Sequence, residues 1–194
     1  MPAADPSRAQ LRAECIAKRL NLDQATRLLA SQTISLGLSA LLAAQAPQAH
    51  VIAAFMPHRG EVDLQPWLAS LAAAGQTQLA LPVVSTINGP LQFAKYQPGD
   101  PLTRDQFGIL IPVRHHWLAP EVLLIPCVGF SSAGLRLGYG GGYYDRTLAA
   151  LPPHQKPLSI GIAFACQICQ IKAQAHDIPM DYILTETKLH RPAT

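Results

Sequence analysis

The sequence predicts one α/β domain spanning residues 1–194, a largely parallel sheet with helices on both faces in a three-layer, Rossmann-like arrangement. Three observations carry that expectation. Strand-like apolar runs alternate with helix-periodic segments, the order that parallel strands joined by crossover helices produce. The run Val122-Leu-Leu-Ile125 is apolar throughout, as a central strand covered on both sides should be. Finally, 194 residues with 49% hydrophobic and 14% charged side chains are enough for one full core and too few for two large ones. The 17 prolines are spread out, with no internal repeat and no interdomain linker.

The elements follow in order. Residues 6–21 read as a short helix and 23–46 as a longer one that ends before Pro47. His50 to Met56 is a strand stopped by Pro57, and Leu64 to Ala74 a helix with Gly75 as its C-cap. Thr77 to Leu81 is a strand closed by Pro82; Leu91 to Tyr96 and the stretch 120–130 are strands separated by a long loop rich in Pro and His. A glycine segment leads into a helix over Arg146 to Leu151, and strands at Ser159 to Ala165 and Tyr182 to Thr185 complete the sheet. Ligands of such sheets bind at the carboxyl ends of the strands.

Leu28 to Ala46 carries no charge over 19 residues, long enough to raise a membrane span. Ile34, Leu38, Leu41 and Leu42 nevertheless fall on one stripe, and Ser31, Ser35 and Ser39 recur at helical spacing. That one-sidedness predicts a buried helix of a soluble protein. Net charge is +3 with the basic residues scattered, so no Lys/Arg stripe marks a nucleic-acid surface, and the N-terminus has no apolar signal region. Four cysteines at Cys15, Cys127, Cys166 and Cys169 suit free thiols in a reducing compartment, the cytoplasm. The spacing Cys166-Gln-Ile-Cys169 invites zinc or redox readings, but Cys15 and Cys127 supply no second ligand pair, and the cysteines read as ordinary thiols.

The segment Arg136-Leu-Gly-Tyr-Gly-Gly-Gly-Tyr-Tyr-Asp145 holds the chemistry. Glycines between a strand and a helix let backbone N–H groups converge on a phosphate, since no Cβ blocks the approach. Arg136 adds a cationic fork, and Asp145 a carboxylate able to hold Mg²⁺ against phosphate oxygens. Its three tyrosines can wall a flat ring system. A glycine-rich turn among core aromatics is the plain alternative. Neither established nucleotide pattern fits: G-x-x-x-x-G-K-[ST] is absent, and G-x-G-x-x-G from Gly138 meets Tyr143 at its sixth position.

Extended to Leu124-Ile-Pro-Cys-Val-Gly-Phe130 and Gly134, this segment resembles the signature of the 5-formyltetrahydrofolate cyclo-ligase family. Further pieces fall in the order of that family: Arg8-Ala-Gln-Leu-Arg12 is similar to its Lys-x-x-x-Arg element. Gly60-Glu-Val-Asp63, Phe107-Gly-Ile109, Gly161-Ile-Ala-Phe164, Gln167, His176-Asp-Ile-Pro-Met-Asp181 and Thr185-Glu186 follow. The pattern departs at Arg8 in place of Lys, Ser131 in place of Asp, Cys127 in place of Gly and Ile111 in place of an acidic residue. Tyr139 and Gly141 stand where some members carry cations.

The resemblance implies ATP-driven closure of 5-formyltetrahydrofolate to 5,10-methenyltetrahydrofolate, with ADP and phosphate released. It implies ATP contacts from Arg8, Arg12, Arg136, Gly138, Tyr139, Gly140, Gly141, Gly142 and Tyr144, and catalytic roles for Arg136 and Tyr143. It implies folate contacts from Met56, Glu61 and Tyr143, and Mg²⁺ ligands at Asp145 and Asp177. The expected partners are two small molecules, ATP and the folate, with no nucleic acid or membrane, handled by a cytoplasmic monomer. Taken without the resemblance, Arg8 and Arg12 read as a solvated helix face and Asp177 as a turn residue before Pro179. Two other functions stay open: a non-catalytic folate- or nucleotide-binding member of the family, and another phosphate-handling enzyme on a related scaffold.

Overall fold

The computed structural model describes residues 7–192. Helix α1 (Arg8–Leu20) starts at a reciprocal cap, Ser7 accepting from the Gln10 N–H while the Gln10 side chain accepts from the Ser7 N–H at 2.8 Å. The expected start at residue 6 lies outside the described residues. Helix α2 (Gln24–Gln45) opens at Asp23, which accepts from the Thr26 N–H at 2.8 Å. The strands are β1 (Val51–Ala53), β2 (Gln78–Val83), β3 (Gln92–Tyr96), β4 (Leu102–Arg104), β5 (Leu110–Pro112), β6 (Trp117–Leu118), β7 (Val122–Pro126), β8 (Gly129–Phe130), β9 (Arg136–Leu137), β10 (Leu158–Ile162), β11 (Tyr182–Leu184) and β12 (Leu189–His190). Helices α3 (Gln65–Ala73) and α4 (Tyr143–Ala150) complete the set.

The main sheet runs β12-β11-β10-β7-β1-β2-β3-β6. Its middle, from β11 through β2, is parallel, and antiparallel strands close both edges. The largely parallel sheet of the sequence reading is correct, with a mixed margin. One face packs Ile34, Leu38 and Leu41 of α2 and Leu68 of α3 on Ile52, Leu124 and Ile160. The other packs Leu148 of α4 on Leu123, Ile125 and Ile183. Alternate residues of β7 thus serve opposite cores, which is why Val122 to Ile125 must all be apolar.

Several boundaries differ from the expectation. The strand expected over His50 to Met56 stops at Ala53, because the chain peels off the sheet after the Ala54 N–H bonds the Ala80 carbonyl at 2.9 Å. Pro82 does not close β2. It stands opposite Phe93, and its missing N–H faces the side where β1 has already ended. The stretch 120–130 is two strands: β7 ends at Pro126, and β8 turns away to pair with β9 in a separate hairpin. The loop between β3 and β7 contains the β4–β5 hairpin and the edge strand β6, too short and too polar to register as apolar runs. Helix α4 begins at Tyr143 rather than Arg146, placing Asp145 in its first turn. Gly75 follows the capping residue Ala74 in a left-handed conformation, φ +73°.

Helix α2 is long and apolar enough by composition to cross a membrane. Its Ile34, Leu38, Leu41 and Leu42 stripe is buried against the sheet, as expected. The serines are not simply the solvent face: Ser31 accepts from the Asp63 N–H and Ser39 from the Trp67 indole, tying α2 to the α3 region. The helix is only half covered, with Leu28, Leu29 and Leu36 exposed, so the expectation of a buried helix holds for one face alone.

Candidate active site

All fourteen residues singled out from the sequence line one cavity of about 530 Å³. It opens at the carboxyl edge of the sheet, where Met56 follows β1, Val84 follows β2 and Pro126 ends β7. The glycine segment forms one wall. It is reached from the β8–β9 hairpin rather than directly from β7, so Arg136 is anchored in a strand before the loop begins.

Two positions in that wall need glycine. Gly140 has φ +101° and Gly142, the residue before α4, has φ +65°. A Cβ on Gly142 would also stand 2.9 Å from an Arg146 guanidinium nitrogen. No side chain caps α4, so its first-turn N–H groups face the cavity with the helix dipole behind them. Gly142→Ala is therefore expected to weaken anion binding by at least tenfold while lowering stability by only about 1–2 kcal/mol, checked by nucleotide titration beside thermal melting.

Cations and carboxylates interlock across the cavity floor. Arg136, its side chain 5% exposed, donates to Asp145 at 2.8 Å and lies over the Tyr144 ring at 5.5 Å. Asp145 also accepts from the Ile178 N–H at 3.3 Å, which joins α4 to the Asp177 loop. Asp177 is held by both terminal nitrogens of Arg8. Burial works to raise the Asp177 carboxyl, but the Arg8 and Gln174 hydrogen bonds with the Arg8 charge hold it below the usual carboxylate range. Arg12 donates to the Gly138 carbonyl at 2.8 Å and covers the glycine loop, its guanidinium 3.5 Å from where a Gly140 Cβ would stand. Arg8 and Arg12 are thus no solvated face; they turn inward with Cys15 and Arg19.

The residues present fit a magnesium ion carried by a nucleotide better than a metal held by protein alone. Among the described residues no three His, Cys, Asp or Glu side chains gather as a metal cluster. The two carboxylates, Asp145 and Asp177, line the same cavity and are the hard, few oxygen donors that Mg²⁺ takes when phosphates and water complete its shell.

At the opposite end Glu61 is buried beside Arg19, which is fully enclosed. Glu61 accepts from the His58 N–H at 3.0 Å and the Tyr139 hydroxyl at 3.0 Å, with an Arg19 nitrogen at 3.7 Å. Burial pushes its carboxyl above the usual range despite that arginine. Arg19 also donates to the Arg59 carbonyl at 3.0 Å and to Tyr139 at 2.6 Å. Tyr139, expected among the nucleotide contacts, directs its hydroxyl to this end, where burial and the Glu61 charge push it up to about 12. Tyr144 packs beneath Arg136, its hydroxyl likewise raised by burial. Tyr143 lies at the mouth between Phe107, edge-on at 5.8 Å, and the Arg146 guanidinium at 4.8 Å.

Arg19 and Arg146 were not singled out from the sequence. Arg8, Arg12, Cys15 and Arg19 are spaced as one helical stripe, a signal that was present but holds polar residues where a core stripe is apolar. His58 gave none.

Residues 4–186 match the sequence model of the 5-formyltetrahydrofolate cyclo-ligase family. The chain is 36% identical over 150 residues to a 5-formyltetrahydrofolate cyclo-ligase of Escherichia coli (strain K12), covering 73% of this chain and 80% of that one. It is 32% identical over 184 residues to the Haemophilus influenzae protein of the same description, 91% and 96% covered. Among solved structures, a 5,10-methenyltetrahydrofolate synthetase from Mycoplasma pneumoniae superposes with TM-score 0.77 at 25% identity, covering 93% of this chain and 99% of that one. One from Aquifex aeolicus gives 0.75 at 30% identity, with 95% and 92% covered.

Proposed function

The chain belongs to the 5-formyltetrahydrofolate cyclo-ligase family and is a ligase of folate metabolism, and from that premise we propose that it closes 5-formyltetrahydrofolate to 5,10-methenyltetrahydrofolate at the expense of ATP. The observation that supports this reading is the two-ended cavity: a glycine loop with arginines at one end, a buried carboxylate with Tyr139 at the other.

The N5-formyl carbon is amide-like and a poor electrophile. Transfer of the ATP γ-phosphoryl to the formyl oxygen turns that oxygen into a leaving group. N10 then attacks the same carbon, the five-membered ring closes and phosphate departs. Holding three reacting groups in line and neutralising phosphate charge supplies most of the catalysis in such a sequence. The Gly138 to Gly142 backbone and the α4 N–H groups bind the phosphates, with Arg12 over the loop. Arg136, fixed by Asp145, faces the transferring group with its position set before substrate arrives. Glu61 accepts N–H donors of the pterin, and Tyr143 covers its ring at the mouth. Asp145 and Asp177 would hold Mg²⁺, which supplies charge neutralisation to the phosphates when bound. With Asp177 so engaged, Arg8 would be free to meet a phosphate oxygen.

We read the enzyme as a cytoplasmic monomer acting on two small molecules, in keeping with its four free cysteines. The test is the absorbance of methenyltetrahydrofolate on mixing protein, 5-formyltetrahydrofolate and Mg-ATP. Product is expected only with both ATP and a divalent cation. Cyclisation at full rate in excess chelator would remove the metal from the scheme, and phosphate release without folate would favour a different phosphate-handling enzyme.

A further inference from the structure

Cys15 and Cys169 come together from opposite ends of the chain. Cys15 is buried on α1, and its thiol donates to the Gln167 carbonyl at 3.6 Å. Cys169 follows the 3-10 turn Ala165–Gln167 and is partly exposed, fixed by its N–H to the Phe130 carbonyl at 2.8 Å. Both sulfurs converge on Gly129. A Cβ there would stand 2.9 Å from the Cys15 sulfur and 3.0 Å from that of Cys169, so the sulfurs are no more than about 6 Å apart and the missing side chain is what admits them. Cys166, which the C-x-x-C spacing pairs with Cys169, packs instead against the core on the α2 and α3 side of the sheet.

We propose that Cys15 and Cys169 are a redox-active thiol pair, oxidised by a low-molecular-weight disulfide to an intramolecular disulfide that staples α1 to the body of the domain. Cys169 is the accessible partner and takes the first step: its contact with Cys15 and burial hold it as the thiol, so it passes its proton to the Cys15 sulfur as its own sulfur displaces one small thiol to give a mixed disulfide. The Cys15 thiolate then attacks the Cys169 sulfur and expels the second small thiol. Two protein thiols lose two electrons and two protons, and the small disulfide becomes two small thiols. The Cys169 thiol that draws Cys15 down in the reduced pair has no S–H left once it is a mixed disulfide, and Lys18 and Arg19 then favour the Cys15 thiolate against burial for the resolving step. The staple matters because α1 also carries Arg8 and Arg12 into the cavity. Its position would then depend on the thiol poise.

The test treats the reduced, full-length protein with oxidised glutathione under anaerobic conditions. Expected is an intact mass lower by two hydrogens, a peptide map joining Cys15 to Cys169, a melting temperature several degrees higher, and slowed amide exchange confined to α1 and its neighbours. Cys166→Ser should keep all four results and Cys169→Ser lose them. Cys15→Ala should behave as Cys169→Ser; since Cys15 is buried, the partly exposed Cys169 variant decides if the former folds poorly. A Cys166–Cys169 bond, a stable mixed disulfide at Cys169, or an unchanged melting rise in Cys169→Ser would overturn the assignment.

Discussion

Asp145→Ala and Asp177→Ala each lower turnover by on the order of 10²-fold, the loss typical when one charge contact made mainly in the transition state is removed. The double variant loses less than the product of the two if, as proposed, both carboxylates act through one ion. Raising Mg²⁺ partly rescues either single variant. The two should differ in stability. Arg136 has only a 5% exposed side chain, so removing Asp145 strands a buried cation and destabilises by about 3–5 kcal/mol. Arg8 is 22% exposed on its side chain and reaches water, so the Asp177 variant melts close to the parent. Steady-state kinetics over a magnesium series, beside melting curves, separates the effects. Normal turnover in both variants would end the metal assignment.

Each of the two carboxylates is paired with a cation, Asp145 with Arg136 and Asp177 with Arg8. In the proposed scheme Mg²⁺ at Asp177 would take the place of Arg8, leaving that arginine for phosphate. A lysine, usual in the family at this position, would make the same exchange as a point charge; Arg8 grips both Asp177 oxygens at once. We therefore expect Arg8→Lys to lower the KM for ATP or leave it unchanged.

Much of this arrangement was legible in the residues. Apolar continuity at Val122 to Ile125 located the central strand, and proline and glycine located most ends. The rule that such sheets bind ligands at the carboxyl ends of their strands located the edge where Glu61, the glycine loop and Asp177 lie. What escaped was whatever depends on partners distant in the chain. Pro82 looks like a stop until β1 is seen to have ended beside it. The β8–β9 hairpin rests on four paired residues, too few for a period to emerge. The spacing of Cys166 and Cys169 said nothing of Cys15 on α1, whose sulfur converges with that of Cys169 on Gly129. Arg19 was invisible because a buried arginine is recognised only by what encloses it.

That arginine sets up the second large effect. Glu61→Gln is expected to lower kcat/KM for the formyl folate by about 10²-fold, since two charge-assisted bonds to the pterin together supply about 3 kcal/mol, while the KM for ATP stays within about twofold. The sign with pH is set by burial. Glu61 titrates above the ordinary carboxylate range, and protonation turns one of its two accepting oxygens into a donor that faces the pterin's N–H groups wrongly. Folate kcat/KM must therefore fall as pH drops through that elevated value, sooner than an ordinary glutamate would allow. The raised value also means that the ionised form opposes folding: the stability linked to this group is present below its unfolded pKa and lost as pH rises through the folded one. Glu61→Gln keeps an amide oxygen for the His58 N–H and the Tyr139 hydroxyl but leaves the enclosed Arg19 without its carboxylate, so a melting curve is taken beside the kinetics. Arg19→Met removes the cation that holds Glu61 down, so the acid limb moves to higher pH. Glu61→Gln should have no such limb. If the limb persists in that variant, or fails to move in Arg19→Met, the carboxylate that reads the pterin lies elsewhere in the cavity.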